Sequence, residues 1–279
     1  MHYGLIITTG DPGTVADLAA EAEAAGWDGV FYFDAIAIGS MELYDPWVVL
    51  AAVAQRTSRV RFGAIITPPA RRRPWKLARE AMTLDRLSAG RLVLPVGLGV
   101  LDDAGLGPVG EPTDIRIRAE LLDESLEILT GLWSGRPFGF TGRHYSFAEM
   151  TFLPTPIQRP RVPIWVVGVW PRERSMRRAI HWDGIIPQAH DEHGRQVDLS
   201  PGHIRRIAAY AARERTASER GQPFEIIAQG TSSATDRLAA AATVRPWADA
   251  GATWWIEADW QDATEESLRA RIKAGPPVA

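Results

Sequence analysis

Short β-branched and apolar runs alternate along the whole chain with longer stretches in which apolar residues recur every three or four positions. The first pattern suits strands and the second amphipathic helices, so the chain reads as strand, helix, strand, helix. Strands are predicted over residues 3–9, 29–35, 60–67, 91–97, 162–168, 183–188, 224–230 and 251–258. Between them, Thr14 is placed to cap a first helix that Gly26 ends, Asp45-Pro46-Trp47 opens a second running to about Thr57, and Pro74 starts a third to about Leu87. The strongest helical pattern covers 114–133, with Ile115, Leu122, Leu126, Leu129 and Trp133 on one face. Helices over 172–181, 201–220, around Pro246 and from about Thr264 complete the set.

Eight strand–helix units predict an α/β fold, a closed (β/α)8 TIM barrel. An open doubly wound sheet is the competitor, but neither the first turn (TGDPG) nor the third (TPP) carries a GxGxxG fingerprint. Residues 135–160, between the fourth helix and fifth strand, are too long and too rich in Gly, Pro and aromatics for a plain connection. Alternation over 138–147 predicts an inserted hairpin there. No linker or repeat divides the chain, so 1–279 reads as one domain.

A formal net charge of -3 gives no electrostatic case for nucleic acid or an anionic membrane as partner. The absence of cysteine excludes disulfides, thiolate metal sites and a cysteine nucleophile. No apolar run reaches membrane-spanning length, and the N-terminus reads as a strand and not a signal peptide, so a cytoplasmic location is expected.

A barrel carries its chemistry at the carboxyl ends of its strands. This nominates Thr8, Thr9, Asp34, Thr67, Gly97, Gly168, Gln188, Gln229 and Glu257 with their neighbours. Asp34 is a candidate base or a turn aspartate; Glu257 is a candidate ligand-orienting group or half of an ion pair that closes the barrel. Arg71, Arg72 and Arg73 precede a helix N-terminus, where the macrodipole is unfavourable to cations, so either carboxylates or a ligand's anionic group must offset them. Phe31, Phe33, Trp47, Trp170 and Trp260 are candidates for an apolar pocket, with core packing as the alternative. His190-Asp191-Glu192-His193 reads as a mobile loop, not a metal site; His144 and His181 read as structural. No GxSxG, P-loop or HExxH is present, and no metal is expected.

Four stretches together resemble the bacterial luciferase-like superfamily of flavin- and deazaflavin-dependent oxidoreductases. They are EAAGWDGVFYFDA at 23–35, REAMTLDRLSAGRLVLPVGLG at 79–99, RAELLDESLEILTGLW at 118–133 and PIWVVGVWPRERSMRRAIHWDG at 163–184. The resemblance implies a TIM barrel, a hairpin insertion, a flavin ring at the barrel mouth and a non-prolyl cis peptide within residues 64–66. It also implies cofactor contacts from Asp34, from Ala64, Ile65, Ile66 and Thr67, from Gly97, Leu98 and Gly99, and from Gly168, Val169 and Trp170. Two proton-handling residues of characterised branches are absent, their places being taken by Ala35 and Val100.

The resemblance thus implies a monooxygenase using reduced FMN and oxygen on a small organic substrate, with a separate flavin reductase as partner. The alternative is hydride transfer with coenzyme F420, whose anionic tail suits the arginine cluster. A barrel that has lost its cofactor is the non-catalytic alternative. A homodimer is expected from the resemblance.

Overall fold

The structure, a computed structural model, describes residues 1–260 and 263–278. In chain order the first half is β1 (His2–Ile6), α1 (Pro12–Ala24), β2 (Gly29–Tyr32), α2 (Pro46–Arg56), β3 (Arg61–Ala64), α3 (Pro74–Leu87), β4 (Leu94–Val96) and α4 (Ile115–Trp133). A two-stranded antiparallel hairpin follows, β5 (Phe138–Thr141) and β6 (Ser146–Met150). The second half is β7 (Ile164–Trp170), α5 (Glu173–Ile180), β8 (Gly184–His190), the short β9 (Gln196–Val197), α6 (Pro201–Glu214), α7 (Ala217–Arg220), β10 (Glu225–Gly230), α8 (Arg237–Asp249), β11 (Trp254–Glu257) and α9 (Glu265–Lys273).

Eight strands pair in parallel in the order β3-β2-β1-β11-β10-β8-β7-β4. The remaining gap between β3 and β4 is bridged at Phe62–Leu92 and Thr67–Val96, with Val93 N donating to Phe62 O at 2.9 Å. The ring therefore closes as a TIM barrel, which removes the open-sheet alternative. Among the described residues no helix is long and apolar enough to cross a membrane.

Local differences from the sequence reading have local causes. The cap of α1 is Asp11, whose carboxylate accepts from Thr14 N at 2.9 Å, so the helix starts two residues before the expected cap. The stretch 201–220 divides because Arg215 is extended and Thr216 opens α7 with its own capping box to Glu219. On α4, Ile115 is solvent-exposed; Leu121, Leu122, Leu126, Ile128, Leu129, Leu132 and Trp133 form the buried face. His144 and its neighbours belong to the hairpin turn, where Glu124 accepts from the amides of Arg143, His144 and Tyr145 and His144 Nε2 lies 2.8 Å from Glu120. The segment after His190 is an ordered turn into β9, held by Asp191, which accepts from the amides of His193 and Arg195.

Two hydrophobic layers hold the barrel. The outer one lies between sheet and helices. The inner one joins Ile6, Phe31, Ile65, Val93, Trp165, Ile186, Ile227, Trp254 and Ile256, so every stave contributes. Phe31, Trp165 and Trp254 meet with centroids 5.3 to 6.1 Å apart and plug the interior. Phe31 is thus core and not pocket wall.

Candidate functional site

Side chains alternate along a strand, so the residues that fill the plug fix which later positions face inward. Counting by twos from Ile6, Trp165, Ile186, Ile227 and Ile256 places Thr8, Val167, Val169, Gln188, Gln229 and Ala258 toward the mouth, while Phe33, past the end of β2, is buried in the outer layer. Ile66, Val167 and Ala258 rest on the plug while only partly buried, and Gln188 is exposed even though its register points into the barrel. The carboxyl end of the barrel is an open cup with an apolar floor.

Gly97 sets the shape of that floor. A Cβ there would lie 2.9 Å from Val167 Cγ2 and 3.0 Å from Ile66 Cγ2. With no side chain at Gly97, those two aliphatic groups close over the backbone as a flat bed, on which a planar heterocycle fits. The Ile65–Ile66 peptide is cis, within the stretch where the resemblance places such a bond. Ala64 and Ile65 themselves are buried, and Thr67 has no exposed surface, so of that segment Ile66 reaches the cup.

The next loop is held from behind. Arg118 of α4 is buried and donates from Nη1 to Leu98 O and Gly99 O, both at 2.9 Å. Burial lowers the Arg118 guanidinium below its ordinary value, with Asp114 acting in the opposite sense. Gly99 adopts φ +77° against Pro68, a conformation costly for other residues. The sequence signal for Arg118 was a cation on the buried face of an otherwise apolar helix, and it was missed.

Asp34 stands on the outward register with its side chain fully covered. It accepts from Arg71 Nη2 at 2.6 Å and from Arg72 Nη2 at 2.9 Å. Arg71 also donates to Asp103, whose carboxylate accepts from the amides of Ile36, Ala37 and Gly105. Burial alone would raise Asp103, but those amides and Arg71 outweigh it and hold the carboxyl below its usual value. Arg72 further lies over the Trp47 ring and within 3.9 Å of Glu80.

This network joins three consecutive rim loops and bears on two alternatives the sequence left open. Asp34 is clamped by two cations, and carboxylates offset Arg71 and Arg72. Arg73 is exposed and, among the described residues, has no carboxylate within ion-pair distance.

Glu257 is also turned away from the cup. It shares the outward register with Trp255, accepts from Trp255 Nε1 and Ser232 N, each at 2.9 Å, and lies 3.4 Å from Arg271. It ties β11 to the following loop and to α9. Gly168 faces α5, where a Cβ would lie 3.1 Å from Ala179, and Trp170 meets Tyr210 edge-on at 6.0 Å; both are outward. Val169 is inward, with its amide donating to Ser175 Oγ at 3.0 Å. Among the described residues no group of acidic, histidine or cysteine side chains has the arrangement of a metal site.

The sequence profile of the luciferase-like monooxygenase family matches residues 2–274. The chain belongs to that family. This luciferase-like protein is 30% identical to an uncharacterised protein of Mycobacterium tuberculosis, over 91% of this chain and 90% of the relative. It is 26% identical to an F420-dependent glucose-6-phosphate dehydrogenase of Nocardia farcinica, over 95% and 86% of the two chains. An F420-dependent secondary alcohol dehydrogenase structure superposes with TM-score 0.78 at 16% identity, covering 100% of this chain and 99% of that one. The monooxygenase RslO1 of Streptomyces bottropensis gives 0.73 at 18%, covering 98% and 97%. The relatives that carry an activity in their names are dehydrogenases and a monooxygenase, and this luciferase-like chain is an oxidoreductase too.

Proposed function

We propose that the protein is an F420-dependent oxidoreductase that exchanges a hydride with a small organic substrate. The observation that carries this is the bed of Ile66 and Val167 over Gly97 at the bottom of an open cup. F420 dependence in the Nocardia relative, aligned over nearly the whole chain, supports the choice of cofactor. When bound, a deazaflavin supplies a ring carbon that accepts or gives up a hydride. The chain's own residues do the rest. Ile66 and Val167 give the ring an apolar face, and the Leu98–Gly99 backbone, fixed by Arg118, borders it. Gln229 and Thr8 offer hydrogen bonds from across the cup, and Gln188 offers one from β8, the strand beside β7. Arg73 is the cation left for an anionic tail.

The FMN reading, with a separate reductase, draws on the apolar floor, which carries no acid or base. Titrating the purified protein with F420 and, separately, with FMN, followed by fluorescence quenching, tests both. Saturable quenching of F420 alone supports the proposal and of FMN alone supports the monooxygenase; binding of neither leaves the non-catalytic barrel. Sedimentation of the same sample reads out the proposed homodimer.

A further inference from the structure

His190 is the last residue of β8, four positions beyond Ile186 and therefore on the same inward register. Among the described residues it is the one titratable side chain on an inward position of the strand ends; Asp34 and Glu257 are outward and clamped. Its Nδ1 is buried without a hydrogen-bond partner. The other five histidines all have ring partners: His2 with Asp28, His144 with Glu120, His181 with Glu219, His193 with Glu192 and His203 with Ser200. Eight other buried side-chain nitrogens and oxygens among the described residues also lack a partner, so what singles out His190 is that it alone among the histidines is unmatched and that it stands on an inward position at the mouth.

We propose that His190 is the residue that exchanges the proton of the substrate oxygen. This rests on the hydride-transfer reading above. In a secondary alcohol, the C–H bond of the carbinol carbon breaks and its hydride, with both electrons, passes to the deazaflavin. The hydroxyl O–H bond breaks as well, its proton passing to the His190 imidazole and on to water, and the carbon and oxygen left behind form the carbonyl of a ketone. The reverse reaction returns both. This position supplies the function that Ala35 and Val100 cannot, from a strand on another side of the ring. Charged neighbours are Asp191, which follows it and is held by Arg195, and Arg172, whose guanidinium reaches Gly194 O at 3.4 Å across the same turn.

The test has an arm that needs no turnover. The free protein is carbethoxylated with diethyl pyrocarbonate and mapped by peptide mass, alone and with F420 bound. Labelling at His190 in the free protein, and its loss on F420 addition while His2 and His193 stay labelled, is the expected result. In parallel, His190→Gln is titrated with F420 and assayed with secondary alcohols from 2-propanol to 2-octanol. Expected are unchanged F420 affinity, a turnover about a hundredfold lower, and partial recovery of His190→Ala by added imidazole. F420 binding to a protein whose His190 is unlabelled, or labelled equally with and without F420, overturns the inference and leaves the function standing. Undiminished turnover in His190→Gln overturns it as well. Failure of F420 to bind overturns the function first.

Discussion

Gly29 lies directly beneath the Trp254 ring: a Cβ at that position would sit 2.8 Å from Trp254 Cζ3. Gly184 stands in the same relation to Trp165, at 2.6 Å from Cδ1. Two of the three rings that plug the barrel fit because another stave offers hydrogen in place of a side chain: β2, one strand removed from β11, for Trp254, and the adjacent β8 for Trp165. Gly29→Ala and Gly184→Ala therefore overpack a filled interior, at a cost of about 1–3 kcal/mol each. Urea unfolding should show a lower midpoint with unchanged slope. A wild-type midpoint in both variants would mean that the plug is loosely packed.

Asp34 and Arg71 form the centre of the rim network, and the sequence reading of Asp34 as a base makes a different forecast from a clamp. Asp34→Asn leaves two guanidinium groups beside a neutral amide, so the rim loops loosen. Breaking a buried charge pair costs about 3–5 kcal/mol, and Asp103→Ala, which also frees three amides, should cost at least as much. The expected outcome for both is a lower unfolding temperature. If Asp34→Asn keeps full stability while activity vanishes, Asp34 is chemical and the clamp reading fails.

Arg118→Gln removes the donor shared by Leu98 O and Gly99 O. The loop that borders the proposed ring site then loses its support from α4, and F420 affinity should fall by about tenfold, equal to about 1.4 kcal/mol. Arg118→Lys should recover only part, because an ammonium on a flexible stem does not reproduce the buried planar group. Equal affinities in wild type and Arg118→Gln would show that this loop does not touch the cofactor.

Acid stability has an identifiable contributor at α7. Burial raises Glu219 somewhat, but hydrogen bonds from His181 and from the Thr216 amide and hydroxyl outweigh it, lowering its carboxyl from 4.5 to about 2. A carboxyl depressed on folding contributes stability that is fully present above its unfolded value and is lost as pH falls through the folded one. The loss attributable to Glu219 thus falls between pH 4.5 and about 2. Glu219→Gln should show a shallower decline of unfolding free energy across that window, and parallel declines would remove Glu219 as a cause.

Much of the barrel was legible because strand and helix periods alternate cleanly, and because caps such as Asp45 and Asp114 stand where helices begin. Strand ends were less so: 29–35 was read as one strand, whereas β2 stops at Tyr32, since the Asp34 carbonyl and carboxylate are claimed by Arg71. Two residues of the proposed floor, Gly97 and Ile66, were among those nominated, whereas Ala64, Ile65 and Thr67 of the same segment are buried. Which residues face the cup was not legible, because a sequence gives alternation but not its phase. Trp170, Gly168, Asp34 and Glu257 were all nominated for lying at strand ends, and the plug residues put each of them on the outward face. His190 was set aside with its acidic neighbours as a loop, although β8 runs on to include it.

The phase of that alternation also gives the sharpest test of the proposed site. Gly97 alone separates the floor from its two flanking aliphatic groups, and a side chain there can only rise into the cup by pushing Ile66 and Val167 aside, since its Cβ already meets them at 3.0 and 2.9 Å. Those contacts are with branch methyls of stiff β-branched side chains, so Gly97→Ala should fold at a cost of about 1–3 kcal/mol, as at Gly29. Gly97→Val, with two further methyls, should occupy the bed itself. Quenching titrations should then show F420 affinity falling stepwise from wild type to Ala to Val, with the last reduced by about a hundredfold or more, or about 2.7 kcal/mol. Full affinity in Gly97→Val, in a protein whose circular dichroism shows it folded, would place the ring somewhere other than this floor.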